Sequence, residues 1–265
     1  MAESFKEVAR GYGLEVQALD DWSCCGSSPA HSTDHEMALL LAARNLLLAE
    51  AQGAEELMVM CPSCFVRLRE AERTIVEDEG EAQKVQRSLG GRYQGKVRLK
   101  FFLETMKELG LEKLKAGVKV PLQGLKGALY YGCLLSRPEW ITGFDVAPYE
   151  AFLEDLFRAL GGDVVHWGYS RQCCGAHLAM TKADLVNGLV DRIRDHARRA
   201  GANCLVVFCP LCQVNLEMRG RDQEALPVLY ISEVMGLAAG LPQTRSWLAR
   251  HLIDPQPLLA SLKIA

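Results

Sequence analysis

Eight of the ten cysteines stand in one pattern written twice. Cys24-Cys25-Gly26 precedes Cys61-Pro62-Ser63-Cys64, and Cys173-Cys174-Gly175 precedes Cys209-Pro210-Leu211-Cys212. Cys61 follows Cys25 by 36 residues, and Cys209 follows Cys174 by 35. Adjacent thiols followed by glycine, joined by a second thiol pair from a distant loop, offer four soft ligands. Such a set suits an iron-sulfur cluster or zinc better than a packed core. In a reducing cytosol ten cysteines would not form a disulfide framework, which leaves ligation or redox chemistry.

The elements around the thiols repeat as well. Gly13 lies eleven residues before Cys24 and Gly162 eleven before Cys173. The stretches GLEVQALDDWS and GDVVHWGYSRQ each open as a short apolar strand and end in a polar loop. Gly53-Ala54 and Gly201-Ala202 precede the buried-strand patterns ELMVM and NCLVVF, so each CxxC is expected at the C-terminal end of a strand. Helices are expected from the cap Asp34 through Ala51 and from Asp184 to Ala200, with Pro62 and Pro210 in the first turns of two more. A helix start behind each CxxC favours thiolate over thiol. Gly26 and Gly175 are candidates for positive φ or close backbone approach.

Alternating strands and helices imply α/β architecture with parallel pairing, and ligands of such sheets collect beyond the carboxyl ends of the strands. The expected fold is two repeated Rossmann-like three-layer halves with short parallel sheets and the cysteine loops at the strand ends. The second half carries an extra element, the strand pattern Lys126 to Tyr131 leading into Gly132-Cys133, with a break at Arg137-Pro138-Glu139. Aligning the halves puts the counterpart of Cys133 ahead of Met1, so the first half is expected to lack its opening strand and fifth thiol. The halves are expected at 1–124 and 125–265. Glu79 to Gln94 reads as an exposed link, VRLKFFLETMKELGLEKLKAGV as an amphipathic helix, and the stretch from Pro227 as a last strand followed by short helices.

Composition excludes several function classes. With 49% apolar and 24% charged residues the chain can bury a core, and a net charge of −3 without a Lys/Arg cluster argues against nucleic-acid binding. The most apolar run, Ala38 to Ala49, contains Arg44 and Asn45 and is too short to cross a bilayer; neither a membrane span nor a signal peptide is expected, and a cytoplasmic location is.

Cys133, then Cys173-Cys174-Gly175, then Cys209-Pro210-Leu211-Cys212 resembles the cysteine-rich CCG domain. Over nearly its whole length the chain is similar to the B subunits of CoB-CoM heterodisulfide reductases and their bacterial relatives, through YYGCLLSRPE, CCGAHLAMTKAD, CPLCQVNLEMRG, CCGSSPAHSTDH and LAARNLLLAE. The resemblance implies that Cys133, Cys173, Cys174, Cys209 and Cys212 hold a noncubane 4Fe-4S cluster at which a small disulfide substrate is reductively cleaved. The chemistry would rest on the cluster, with no separate catalytic side chain. In the first half Cys24, Cys25, Cys61 and Cys64 would hold a second iron-sulfur cluster or zinc. Implied partners are the ferredoxin-like iron-sulfur C subunit and the flavin-bearing A subunit of such a complex. Two other readings stand beside this one: a non-catalytic electron-transfer module of a quinone-linked or respiratory dehydrogenase, and a zinc-stabilised interaction protein.

Other residues invite plainer readings. Cys204, facing Glu56 in the repeat, is expected as a small core residue. His31, His35 and His177 follow the CCG loops and could donate protons, but a surface or helix-start role is favoured. Trp22 and Trp167 are expected to pack beneath their loops.

Overall fold

The computed structural model describes residues 2–27, 29–135, 147–220 and 226–264; the break expected at 137–139 lies outside them. The fold is α/β with two separate parallel sheets. The described residues fall into two compact units, each considered by itself: one of 2–16, 106–135, 147–220 and 226–264, the other of 17–27 and 29–105.

In the larger unit four parallel strands stand in the order β4-β3-β5-β6: β3 (Lys126–Tyr130), β4 (Asp163–Val164), β5 (Cys204–Val207) and β6 (Val228–Tyr230). Ala128 pairs with Leu205 and Val206 with Leu229. Every residue of β5 is fully buried, as expected for a central parallel strand covered on both faces. Burial of side chains such as Leu205 and Val207 contributes about 1.5–3 kcal/mol each. Parallel neighbours need crossovers, and helices supply them. Ala147–Ala159 leads into β4, Ala183–Arg199 joins β4 to β5, and Pro210–Met218 joins β5 to β6.

The smaller unit has only β1 (Glu56–Val59) and β2 (Arg98–Phe101), paired from Glu56↔Arg98 to Val59↔Phe101. Between them run helices Pro62–Glu77 and Glu79–Leu89, and His35–Ala51 precedes β1. As expected, Asp34 caps His35–Ala51, accepting from Met37 N at 2.9 Å.

Three local expectations are corrected. Arg98–Phe101 is a strand rather than the start of a helix, because Leu99 and Phe101 turn into the core while Arg98 and Lys100 reach Glu56 on β1, at 3.3 and 3.4 Å. The helix begins only at Phe102. Residues 79–89 are a capped helix rather than a link: Asp78 accepts from Gly80 N and Glu81 N, and Gly90 ends the helix at φ 75°. Leu14 to Ala18 form no strand, since among the described residues the first half has no counterpart of β3 for them to pair with.

Packing also divides the chain differently from the expected boundary at 124. The helix Ala2–Gly11 buries Phe5, Val8 and Ala9 and joins Ser4 Oγ to Ser232 Oγ at 2.6 Å. Tyr12 donates to the Leu114 carbonyl at 3.0 Å, and Lys119 N and Val120 N donate to Ala238 O. Both segments therefore belong to the larger unit, because their apolar faces close its core.

Candidate metal centre

In the second half five cysteines come from three strand ends. β3 runs into Gly132, which takes φ 68° and starts the short helix Gly132–Leu135 that carries Cys133. β5 runs into Cys209, the N-cap residue of Pro210–Met218, and Cys212 lies buried in the first turn of that helix. Pro210 occupies the first turn, where a missing N–H leaves no hydrogen bond unmade. Cys173 and Cys174 sit on the loop after β4, which Asn215 ties down by donating Nδ2 to the Cys174 carbonyl at 2.8 Å. Cys174 Sγ and Cys212 Sγ are 3.5 Å apart, and Gly175 N donates to Cys173 Sγ at 3.3 Å.

In the first half Cys61 is the N-cap residue of Pro62–Glu77, again with Pro62 in the first turn, and Cys25 Sγ stands 3.1 Å from Cys64 Sγ. Cys24 is exposed while Cys25 and Cys61 are buried. Here the loop anchor is Asn45, which accepts from Ser23 N and donates to Ser23 O, both at 2.9 Å. Among the described residues of this half no fifth thiol joins the four.

Both CCG glycines are required by their surroundings. Gly26 has φ 73° and Gly175 φ 77°, a region that disfavours side chains. A Cβ on Gly26 would lie 3.2 Å from Leu41 and 3.3 Å from the Ala38 backbone; one on Gly175 would lie 2.8 Å from Leu189 and 3.3 Å from Val186. These pairs occupy matching positions on the two helices that follow the loops, so the glycine lets each thiol loop lie flat against its helix.

The thiols are electrostatically unequal in the same way in both halves. The hydrogen bond with Cys212 holds Cys174 below the ordinary thiol value against the opposing effect of burial, while the bonds with Cys174 and Cys209, with burial, push Cys212 well above it. Likewise the bond with Cys64 lowers Cys25, and the bonds to Cys25 and Cys61 raise Cys64. Each set thus joins a CCG cysteine to a CxxC cysteine through a shared proton, and soft sulfur is the donor chemistry that iron-sulfur clusters and zinc take. Among the described residues no group of three or more His, Cys, Asp or Glu side chains is placed to hold a metal ion as it stands.

Tyr130 was not foreseen as part of the site. Burial raises its phenol far above the usual range, and the nearby Cys212, Cys174, Cys133 and Cys173 raise it further, placing the ring beside four of the five thiols. Its hydroxyl donates to the Gln172 carbonyl, pinning the residue before the thiol pair. The capping glutamates were also missed: Glu104 accepts from Phe101 N at 2.7 Å, and Glu233 from Tyr230 N at 2.8 Å. A strand-ending aromatic followed three residues later by Glu appears in both halves and was the available signal.

Cys204 is a core residue, as expected. Its thiol is fully buried, points to the Lys126 carbonyl at 3.9 Å, and is pushed up by burial to about 12. His31 and His35 line a cleft of about 420 Å³ with Arg67, Glu70 and Lys84, and His31 Nδ1 accepts from Arg67 Nη1 at 2.6 Å. Trp167 donates to the Leu129 carbonyl at 3.1 Å and packs near Tyr130, but Trp22 is 68% exposed and does not pack under its loop. No described helix is long and apolar enough to cross a membrane.

A family model described as a cysteine-rich domain, CCG, matches residues 1–69 and 128–217. The chain is 32% identical over 266 aligned residues to the 8-methylmenaquinol:fumarate reductase membrane anchor subunit of Wolinella succinogenes, covering 97% of this chain and 92% of that one. It is 30% identical to the B subunit of the Ferredoxin/F(420)H(2)-dependent CoB-CoM heterodisulfide reductase of Methanosarcina acetivorans, covering 94% and 88%. The crystal structure of a hypothetical protein from Helicobacter pylori has the same fold, with a TM-score of 0.72 at 17% identity over 95% of this chain, which spans 48% of that one. The doubled thiol plan, its α/β frame and these matches agree: the chain belongs to the CCG cysteine-rich domain family.

Proposed function

We propose that the chain is the iron-sulfur subunit of a heterodisulfide-reductase-like complex in the cytoplasm, cleaving a small disulfide to two thiols. The observation that carries this reading is the placement of Cys133, Cys173, Cys174 and Cys212 near Tyr130, with Cys209 bonded to Cys212, beyond the carboxyl ends of β3, β4 and β5. These five would hold a noncubane 4Fe-4S cluster, which supplies one-electron transfer and an iron site for sulfur. Cys24, Cys25, Cys61 and Cys64 would hold a second iron-sulfur cluster or zinc.

The chain's own residues supply the surroundings. Cys174, Cys209 and Cys212 are buried while Cys133 and Cys173 are partly open, which leaves one side of the second thiol set accessible. The starts of Pro62–Glu77 and Pro210–Met218 direct positive dipole ends at the CxxC sulfurs, which favours the thiolate form that ligation would need. Asn215 and Asn45 hold the thiol loops in register. Cleavage consumes two electrons and two protons and yields two thiols; the electrons come from the ferredoxin-like iron-sulfur C subunit, with the flavin-bearing A subunit beyond it.

A specific observation favours a second reading. The 32% identity to a fumarate reductase subunit over 97% of the chain fits an electron-transfer module that passes electrons without acting on a disulfide. Protein purified without oxygen and assayed for iron, zinc and sulfide, then for mixed-disulfide reduction with a viologen donor, separates the readings. Iron and sulfide with turnover support the first, iron and sulfide without turnover support the second, and zinc alone overturns both.

A further inference from the structure

A buried charge cluster lies behind the Cys209–Cys212 helix and takes no part in the proposed chemistry. His251 Nδ1 is 2.5 Å from Glu217 Oε1, and its Nε2 is 3.2 Å from Glu233 Oε2; the three side chains are 2%, 6% and 5% exposed. Glu217 lies on Pro210–Met218, the helix that begins at Cys209, and also accepts from Leu252 N at 3.0 Å. Glu233 caps Ile231–Ala238, and Gln213, next to Cys212, donates to it at 3.5 Å. The imidazole therefore joins three parts of the larger unit: the CxxC helix, the helix after β6 and the C-terminal stretch.

Two carboxylates this deeply buried repel one another unless a cation stands between them. Among the described residues the charges facing the imidazole are these two carboxylates, since Arg250 turns to Glu3 at 3.0 Å. Among its described residues the first half has no such arrangement. With Cys61 aligned on Cys209, Phe65 stands for Gln213 and Arg69 for Glu217. Arg69 lies over the Phe65 ring at 5.3 Å, pairs with Glu72 at 2.9 Å and donates to the Leu99 carbonyl. The clasp is therefore no requirement of the repeat; it belongs to the second half.

We infer that His251 is a positioning residue for the second thiol set: a buried imidazolium that clasps the C-terminal stretch to the Cys209–Cys212 helix, its charge deciding how firmly that helix is held. Burial alone would lower the imidazole pKa, but hydrogen bonds and charge from Glu217 and Glu233 outweigh it and raise the value to about 9. A folded-state value above the ordinary 6.5 means that the stabilisation is full below about pH 6.5 and fades as pH rises through about 9.

Thermal unfolding of the metal-loaded chain from pH 6 to pH 10 tests the clasp in His251→Gln and Glu217→Gln. The wild type should melt at least about 3 °C above His251→Gln at pH 7, and the gap should close by about pH 10. Glu217→Gln, which keeps the imidazole but removes one anion, should move the closing to lower pH. An equal gap at pH 6 and pH 10, or none at pH 7, overturns the inference. A second arm, which rests on the cluster reading, follows iron release to a ferrous chelator. His251→Gln should release iron several-fold faster at pH 7 and match the wild type at pH 10; equal rates at pH 7 count against the inference. If the chain carries no iron the cluster reading fails, while the melting curves still decide the clasp.

Discussion

The two thiol sets repeat one spacing on frames of different size. Both place a CxxC at a strand end with proline in the first helical turn, and both press a positive-φ glycine against the following helix. The second half stands on four strands and has Cys133 and Tyr130; the first stands on two and has four thiols among its described residues. Their loop anchors differ too. Asn215 on the CxxC helix holds the second loop, whereas Arg67 occupies that position in the first half and Asn45 on another helix does the holding. Thiol positions are fixed by what they would ligate, but a loop carbonyl accepts any amide that reaches it. The spacing therefore recurs where the scaffolding does not.

Removing a thiol tests the likeness of the halves most severely. Cys174→Ser or Cys212→Ser should remove most second-site iron and abolish disulfide turnover, while Cys25→Ser should empty only the first site. Metal analysis of each variant checks this, and equal losses from all three would mean that the halves are not independent sites. The glycines come next. Gly26→Ala and Gly175→Ala force a side chain into positive φ against a helix, and each should cost about 1–3 kcal/mol in denaturant unfolding. A cost at one position alone would show that the two loops are seated differently.

Anchor loss should have a smaller and more local effect. Asn215→Ala leaves the buried Cys174 carbonyl without its donor, for about 1–3 kcal/mol. It should loosen metal at the second site only, with Asn45→Ala doing the same at the first, as read by iron retention after dialysis against chelator. The capping variants Glu104→Ala and Glu233→Ala should each cost about 0.5–1.5 kcal/mol by thermal melting, the net worth of a lost hydrogen bond. Glu233→Ala should cost more because Glu233 also faces His251. Least of all, Cys204→Ser should leave iron content unchanged, since its thiol faces the Lys126 carbonyl within the sheet; iron loss there would refute its core assignment.

Much of the frame was legible because its signals are local. Asp34 before an apolar helix, proline after each CxxC cysteine, and the runs ELMV, GALY and CLVV announce their elements without help from distant residues. β2 was hidden because Arg98-Leu99-Lys100-Phe101 passes directly into the helix Phe102–Leu109, so its alternation merges with helical spacing. The helix Glu79–Leu89 was hidden because its buried face is only Ala82 and Val85. Leu14 to Ala18 looked strand-like, but a strand requires a partner, and that information is not local.

Ligand type, spacing and apolar periodicity are properties of the chain, so the doubled thiol pattern and the α/β order could be read from the residues alone. Which groups surround those thiols depends on how the chain folds back on itself. Tyr130 beside Cys212, Asn215 on the Cys174 carbonyl and His251 between Glu217 and Glu233 join residues far apart in the chain, and burial alone gives such contacts their electrostatic weight. The same holds for the packing of residues 2–16 and 106–124, whose place follows from the core that their apolar faces complete.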